Sequence, residues 1–154
     1  MKFLLIFVLA LIACSQDSGS GIVIKNAWIR EAPPGATVTA LYLEIDNNGN
    51  EDYIMSIYSP VSEIAEIHST EIAPDGTGKM VMLENVSIKS GGKLSFSPGG
   101  KHIMLIDLTE QLKAGDIHEV TVDFKNTGKK SVKAVVKGFS DSGSENHNEH
   151  SMDH

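Results

Sequence analysis

Between residues 22 and 136 the chain alternates apolar with polar positions over short stretches. In Ala40-Leu41-Tyr42-Leu43-Glu44-Ile45 the odd positions are apolar, and within 118–124 the even positions from Val120 onward are. Successive side chains of a strand leave opposite faces of the sheet, so this period of two is what half-buried antiparallel strands require. Runs rich in Val, Ile, Tyr and Thr recur about every ten residues, as in sandwiches and barrels. Between them lie turn formers such as Pro33-Pro34-Gly35, Asn47-Asn48-Gly49-Asn50, Pro74-Asp75-Gly76, Gly91-Gly92 and Pro98-Gly99-Gly100. Strands are predicted over 22–30, 37–46, 53–58, 62–70, 80–83, 93–96, 102–108, 117–124 and 131–136. Only 108–112 hints at a helical turn. The pattern therefore predicts an all-β Greek-key sandwich or barrel paired antiparallel, with Trp28 plugging its core and Arg30 pairing at the rim.

Both ends depart from this pattern. Lys2 is followed by an apolar run over 3–12, too short to span a bilayer as a helix, and then by Leu11-Ile12-Ala13-Cys14, which resembles a bacterial lipoprotein cleavage box. On that reading 1–13 is a signal peptide, Cys14 carries the lipid, and 14–20 is a polar tether to a membrane. The protein is then expected outside the cytoplasm, in the periplasm where there is one. Ser15 after the cysteine resembles outer-membrane sorting if the host has two membranes. One β-domain is expected over 21–139, and 140–154 is polar, without strand or helix pattern, and expected to be disordered.

Composition narrows the function. The 154 residues, 41% of them apolar, suffice for one domain with a sizeable core plus appendages. A formal charge of −7 with scattered basic residues argues against a nucleic-acid surface. Cys14 is the only cysteine, and with it used for the anchor no thiol remains for a disulfide, a CxxC redox pair, a cysteine nucleophile or a blue-copper thiolate. There is no GxSxG elbow, HExxH helix or phosphate-binding glycine loop, and Glu44, Asp46 and Glu66 read as solvent-facing strand partners. No enzyme is expected.

The residues that stand out are His68, Met80, His102 and Met104. A single His or Met in a β-domain is usually structural. Together they offer two imidazoles and two soft, neutral thioethers, a donor set suited to Cu(I), with Ag(I) as its mimic, and poorly suited to Zn²⁺, Mg²⁺ or Ca²⁺. His102 and Met104 share a strand face provided that Ile103 points inward. Met80-Val81-Met82 leaves a choice between two thioethers, with Met82 read as core or as support. A second cluster, His147, His150, Met152 and His154, falls in the last eight residues with Glu149 and Asp153 nearby, a set better matched to Cu(II) or Zn(II). His118 reads as structural.

Eleven residues separate His68 from Met80, twenty-one separate Met80 from His102, and one separates His102 from Met104. This spacing resembles the signature of the periplasmic copper chaperones of the PCu(A)C family. The likeness extends through Asn26-Ala27-Trp28-Ile29-Arg30, Ala32-Pro33-Pro34-Gly35-Ala36, Ala40-Leu41-Tyr42-Leu43, Asn47-Asn48-Gly49, Ser59-Pro60 and Ser97-Pro98-Gly99-Gly100, covering roughly residues 21 to 138. Many members carry Met directly after the first His, where this chain has Ser69. The resemblance implies a cupredoxin-like (immunoglobulin-like) sandwich and favours Met80 over Met82. It also implies a Cu(I) metallochaperone that delivers to the CuA centre in subunit II of cytochrome c oxidase, alongside Sco-type thiol proteins. Two alternatives stay open: a periplasmic copper buffer or resistance protein, and a lipid-anchored β-sandwich interaction module that binds no metal.

Overall fold

The computed structural model describes residues 21–138, in which ten strands follow one another: β1 (Ile22–Arg30), β2 (Val38–Asn47), β3 (Asp52–Tyr58), β4 (Ser62–Ile72), β5 (Gly78–Met82), β6 (Val86–Ile88), β7 (Lys93–Phe96), β8 (Lys101–Leu108), β9 (Ile117–Phe124) and β10 (Gly128–Lys137). The alternation read from the sequence becomes the core. Leu41, Leu43 and Ile45 of β2 and Val120, Val122 and Phe124 of β9 are all buried, and they meet Ile29, Ile54, Ile67, Ile103 and Leu105 in one apolar cluster. Nine of the ten strands match predicted ones to within a few residues. The three-residue β6 was not predicted, being too short to display a period.

The strands are ordered β5-β4-β8-β2-β1-β10-β9-β3-β6, with β7 added to β2. Neighbours such as β4 with β8, β8 with β2 and β1 with β10 are far apart in the chain, so the sandwich is wound by Greek-key crossovers. Pairing is antiparallel except between β1 and β10, which run parallel with Trp28 opposite Val135. The fold is thus the all-β, cupredoxin-like sandwich that was expected, with one parallel pair added. No helix occurs among the described residues. The segment suspected of a helical turn is instead held irregular by tertiary contacts: Leu112 is fully buried, and the Gln111 amide donates to the Ala32 carbonyl at 2.6 Å.

One irregularity reassigns a residue. β1 shifts register between Lys25 and Trp28, and Asn26 there takes a positive φ of 54°, a conformation Asn tolerates better than most residues. Ile22 faces inward before the bulge, and Ala27 and Ile29 face inward after it. Trp28 therefore turns away from the core instead of plugging it. It lies against Tyr42 on the outer face with ring centroids 4.3 Å apart, while Arg30 sits 5.6 Å from the Tyr42 ring centre and Lys137 sits 5.2 Å from that of Trp28.

Candidate metal centre

β8 lies between β4 and β2, and its alternation sets the site. Ile103 is fully buried and pairs with Leu41 on one side and Ile67 on the other. His102 and Met104 consequently emerge on the face opposite the core, as the sequence required of a shared site. The β4–β8 register sets His68 directly across from His102, and Glu66 across from Met104. On the other side of β4, β5 sets Met82 across from His68 and Met80 across from Thr70. Paired residues share a face, as do residues two apart on a strand. One face of three adjacent strands therefore carries His68, Met80, Met82, His102 and Met104; the three strands are about 10 Å wide at ordinary strand spacing, with Met80 and Met104 at opposite corners, about 16 Å apart between Cα atoms.

The imidazoles are sunk and the thioethers of β5 are not. His102 is 9% exposed, whereas Met80 and Met82 are 57% and 50% exposed. The two imidazole centroids lie 6.0 Å apart. Each ring is oriented by one acceptor. His68 Nε2 lies 2.9 Å from Glu66 Oε2, and His102 Nδ1 lies 3.1 Å from the Gly100 carbonyl. A carboxylate and a carbonyl only accept, so these nitrogens carry the protons, which leaves lone pairs on His68 Nδ1 and His102 Nε2. His68 Nδ1 is buried and has no hydrogen-bond partner among the described residues, an unusual state for a buried polar atom. The Ser97-Pro98-Gly99-Gly100 turn supplies the second acceptor: Gly99 adopts φ 80°, and the Gly100 amide donates back to the Ser97 carbonyl at 3.1 Å.

Among the described residues no three His, Cys, Asp or Glu side chains converge on a point that could hold a metal. The other donors on this face are the thioethers of Met80, Met82 and Met104, soft ligands that prefer Cu(I) and Ag(I). Of the two readings of Met82, core or support, the first does not hold, because the β5 register turns it outward beside His68. Glu66 was read as a solvent-facing partner and is instead half-buried against His68. The signal available in the sequence was its position two residues before His68 on one strand. Glu44 faces solvent as expected, whereas Asp46 is more covered, with 20% of its side chain exposed, and the two flank Lys25 at 3.7 and 2.6 Å. The hydrogen bond from Lys25 holds the Asp46 carboxyl below the usual range and raises the lysine in turn. His118 lies apart on β9 opposite Ala134, 3.9 Å from Glu110. Cys14, His147, His150, Met152 and His154 fall outside the described residues.

Comparison with known proteins fits this architecture. Residues 22–136 match the LpqE-like family model, described as "Putative lipoprotein LpqE-like". The chain belongs to the LpqE-like family, and its sandwich has the fold of solved PCuAC domains. It is 30% identical over 133 residues to "Putative lipoprotein Lxx21020" of Leifsonia xyli subsp. xyli, covering 83% of this chain and 78% of that one. The copper-bound PCuAC domain from PmoF2 superposes with a TM-score of 0.64 at 22% identity, covering 77% of this chain and 93% of the domain. The solution structure of CuI-DR1885 from Deinococcus radiodurans gives 0.61 at 25% identity, covering 83% of this chain and 85% of that one.

Proposed function

We propose that this protein is an extracytoplasmic Cu(I) metallochaperone whose site is formed by His68, Met80, His102 and Met104. The observation that carries this reading is the pair of imidazoles facing each other across β4 and β8, each fixed by one nitrogen with the other left bare, beside thioethers on the same face. Two neutral imidazoles and two neutral thioethers favour the reduced ion and resist its oxidation, which suits holding copper for delivery over electron transfer or catalysis. The copper-bound relatives of the same fold support this assignment. The family spacing favours Met80 as the β5 ligand.

Delivery proceeds by ligand exchange. The half-exposed Met80 is released first, an incoming thiolate or imidazole of the acceptor takes its place, and the sunken histidines let go last. The acceptor in this reading is the CuA centre in subunit II of cytochrome c oxidase, with Sco-type thiol proteins as co-workers. Cys14 holds the protein on a membrane by a lipid, in keeping with the lipoprotein names of its family and relative, and Ser15 points to the outer membrane in a host with two. The His147, His150, Met152 and His154 tail takes Cu(II) as a second ion. A tail-deleted protein that binds and loads copper unchanged would remove that part.

A deletion strain tests the delivery step. Loss of cytochrome c oxidase activity that added copper restores is the expected result. Normal oxidase activity with heightened copper sensitivity would make the protein a copper buffer instead.

A further inference from the structure

β4 is paired with β8 from Ser62 to Ser69, but β5 pairs with it only from His68 to Ile72. Below that point the strand borders an open cleft of about 350 Å³ whose opposite wall is β3 and whose end is the segment joining β5 to β6. Met55 and Ser56 line the β3 wall, Glu66 lines the β4 wall, and Met82, Glu84 and Asn85 line the end. Asn85, at φ 52°, turns the chain into β6.

Met55 is aimed by a bulge. β3 pairs Ile54 with Phe124 and Ser56 with the adjacent Asp123, so Met55 is the extra residue, one more on β3 than on β9. The bulge returns Ile57 to face the buried Val122 and leaves Met55 and Ser56 both outside the core, Met55 at 53% exposure. Two half-exposed thioethers thus border one cleft, accompanied by two carboxylates. The cleft also shares members with the His/Met face, because Met82 sits across from His68 and Glu66 bonds its ring.

We propose that Met55 and Met82 form a second, weaker station for a soft monovalent cation, Cu(I) in function, from which the ion enters or leaves the four-ligand site. This rests on the chain carrying Cu(I). Thioether sulfur selects Cu(I) and Ag(I) over the divalent ions available to carboxylates, and Glu66 and Glu84 balance the single positive charge. With fewer soft ligands than the His/Met site, the station fills only after it. Met82, adjacent to both, hands the ion across.

The test is a titration of the full chain with Ag(I), followed through methionine methyl resonances with Met80, Met82, Met104 and Met55 assigned. The first equivalent is expected to move Met80 and Met104, and excess Ag(I) to move Met55 together with Met82. In Met55→Leu, which keeps the volume and removes the sulfur, the late movement of Met82 is expected to disappear while the first equivalent binds unchanged. A Met55 resonance that stays still while Met80 and Met104 respond overturns the station and leaves the carrier reading intact. Movement of Met55 and Met82 with Met80 and Met104 silent keeps the station and overturns the four-ligand site.

Discussion

Replacing Glu66 with Ala removes the one group that orients His68. The Glu66 carboxylate accepts from His68 Nε2 at 2.9 Å and so keeps Nδ1 bare for a metal. A hydrogen bond to an ionised acceptor contributes about 1.5–3 kcal/mol net. The carboxylate side chain is 35% exposed and the imidazole 15%, so water attenuates the bond to about 1–2 kcal/mol, around the bottom of that range. At about 1.4 kcal/mol per tenfold, Cu(I) affinity falls roughly 5- to 30-fold, in line with other carboxylates that orient metal-binding histidines. Glu66→Gln retains a carbonyl acceptor without the charge and is expected to lie between the two. The assay is an anaerobic Cu(I) competition titration, with urea unfolding to confirm that the variant is folded. Wild-type affinity in a folded Glu66→Ala protein would refute the reasoning, as would nitrogen chemical shifts showing the His68 proton on Nδ1.

Further expectations follow from particular residues. Ile103→Ala opens a cavity at a fully buried position between His102 and Met104 and is expected to cost about 2–5 kcal/mol in urea denaturation, against about 0.5–1.5 kcal/mol for Ile103→Val. Asp52 is buried and receives backbone N–H groups from Tyr53, Asn126 and Thr127 at 2.8, 2.9 and 2.8 Å. Burial works to raise its carboxyl, but the bonds from Thr127, Asn126 and Tyr53 prevail and hold it below the usual aspartate range. Its stabilisation is therefore complete above the unfolded-state value, about 3.9, and is lost as pH falls through the depressed folded-state value. Asp52→Ala is expected to lose about 2–3 kcal/mol at neutral pH, with the gap to wild type closing in strong acid during a pH series of unfolding curves. Met80→Leu is expected to weaken Cu(I) by roughly tenfold or more and Met82→Leu by less; the opposite order in competition titrations would make Met82 the ligand.

The sequence revealed the site's local logic better than its assembly. Alternation around Ile103 was legible, so a common face for His102 and Met104 followed directly. Their meeting with His68 was not legible from alternation. It depends on the register of β4 against β8, two strands joined through three others, and only the family spacing pointed to it. Alternation also failed where the backbone breaks it. The bulge at Asn26 reverses the facing of everything after it in β1, which is why Trp28 lies on the outer face against Tyr42. The bulge at Met55 hides in the same way within a run that reads as an ordinary strand. Glu66 was overlooked for a different reason: a carboxylate on a strand suits solvent equally well, and only the ring 2.9 Å away gives it a role.

The central claim is that the folded β-domain itself holds one Cu(I) between β4, β5 and β8. The most direct measurement is an anaerobic Cu(I) titration of residues 21–139 against a chromophoric competitor, run beside His102→Ala and Met104→Ala variants of the same segment. One tightly held ion per chain, weakened by either substitution, is the expected result. No binding, or binding that both variants leave unchanged, would contradict the account.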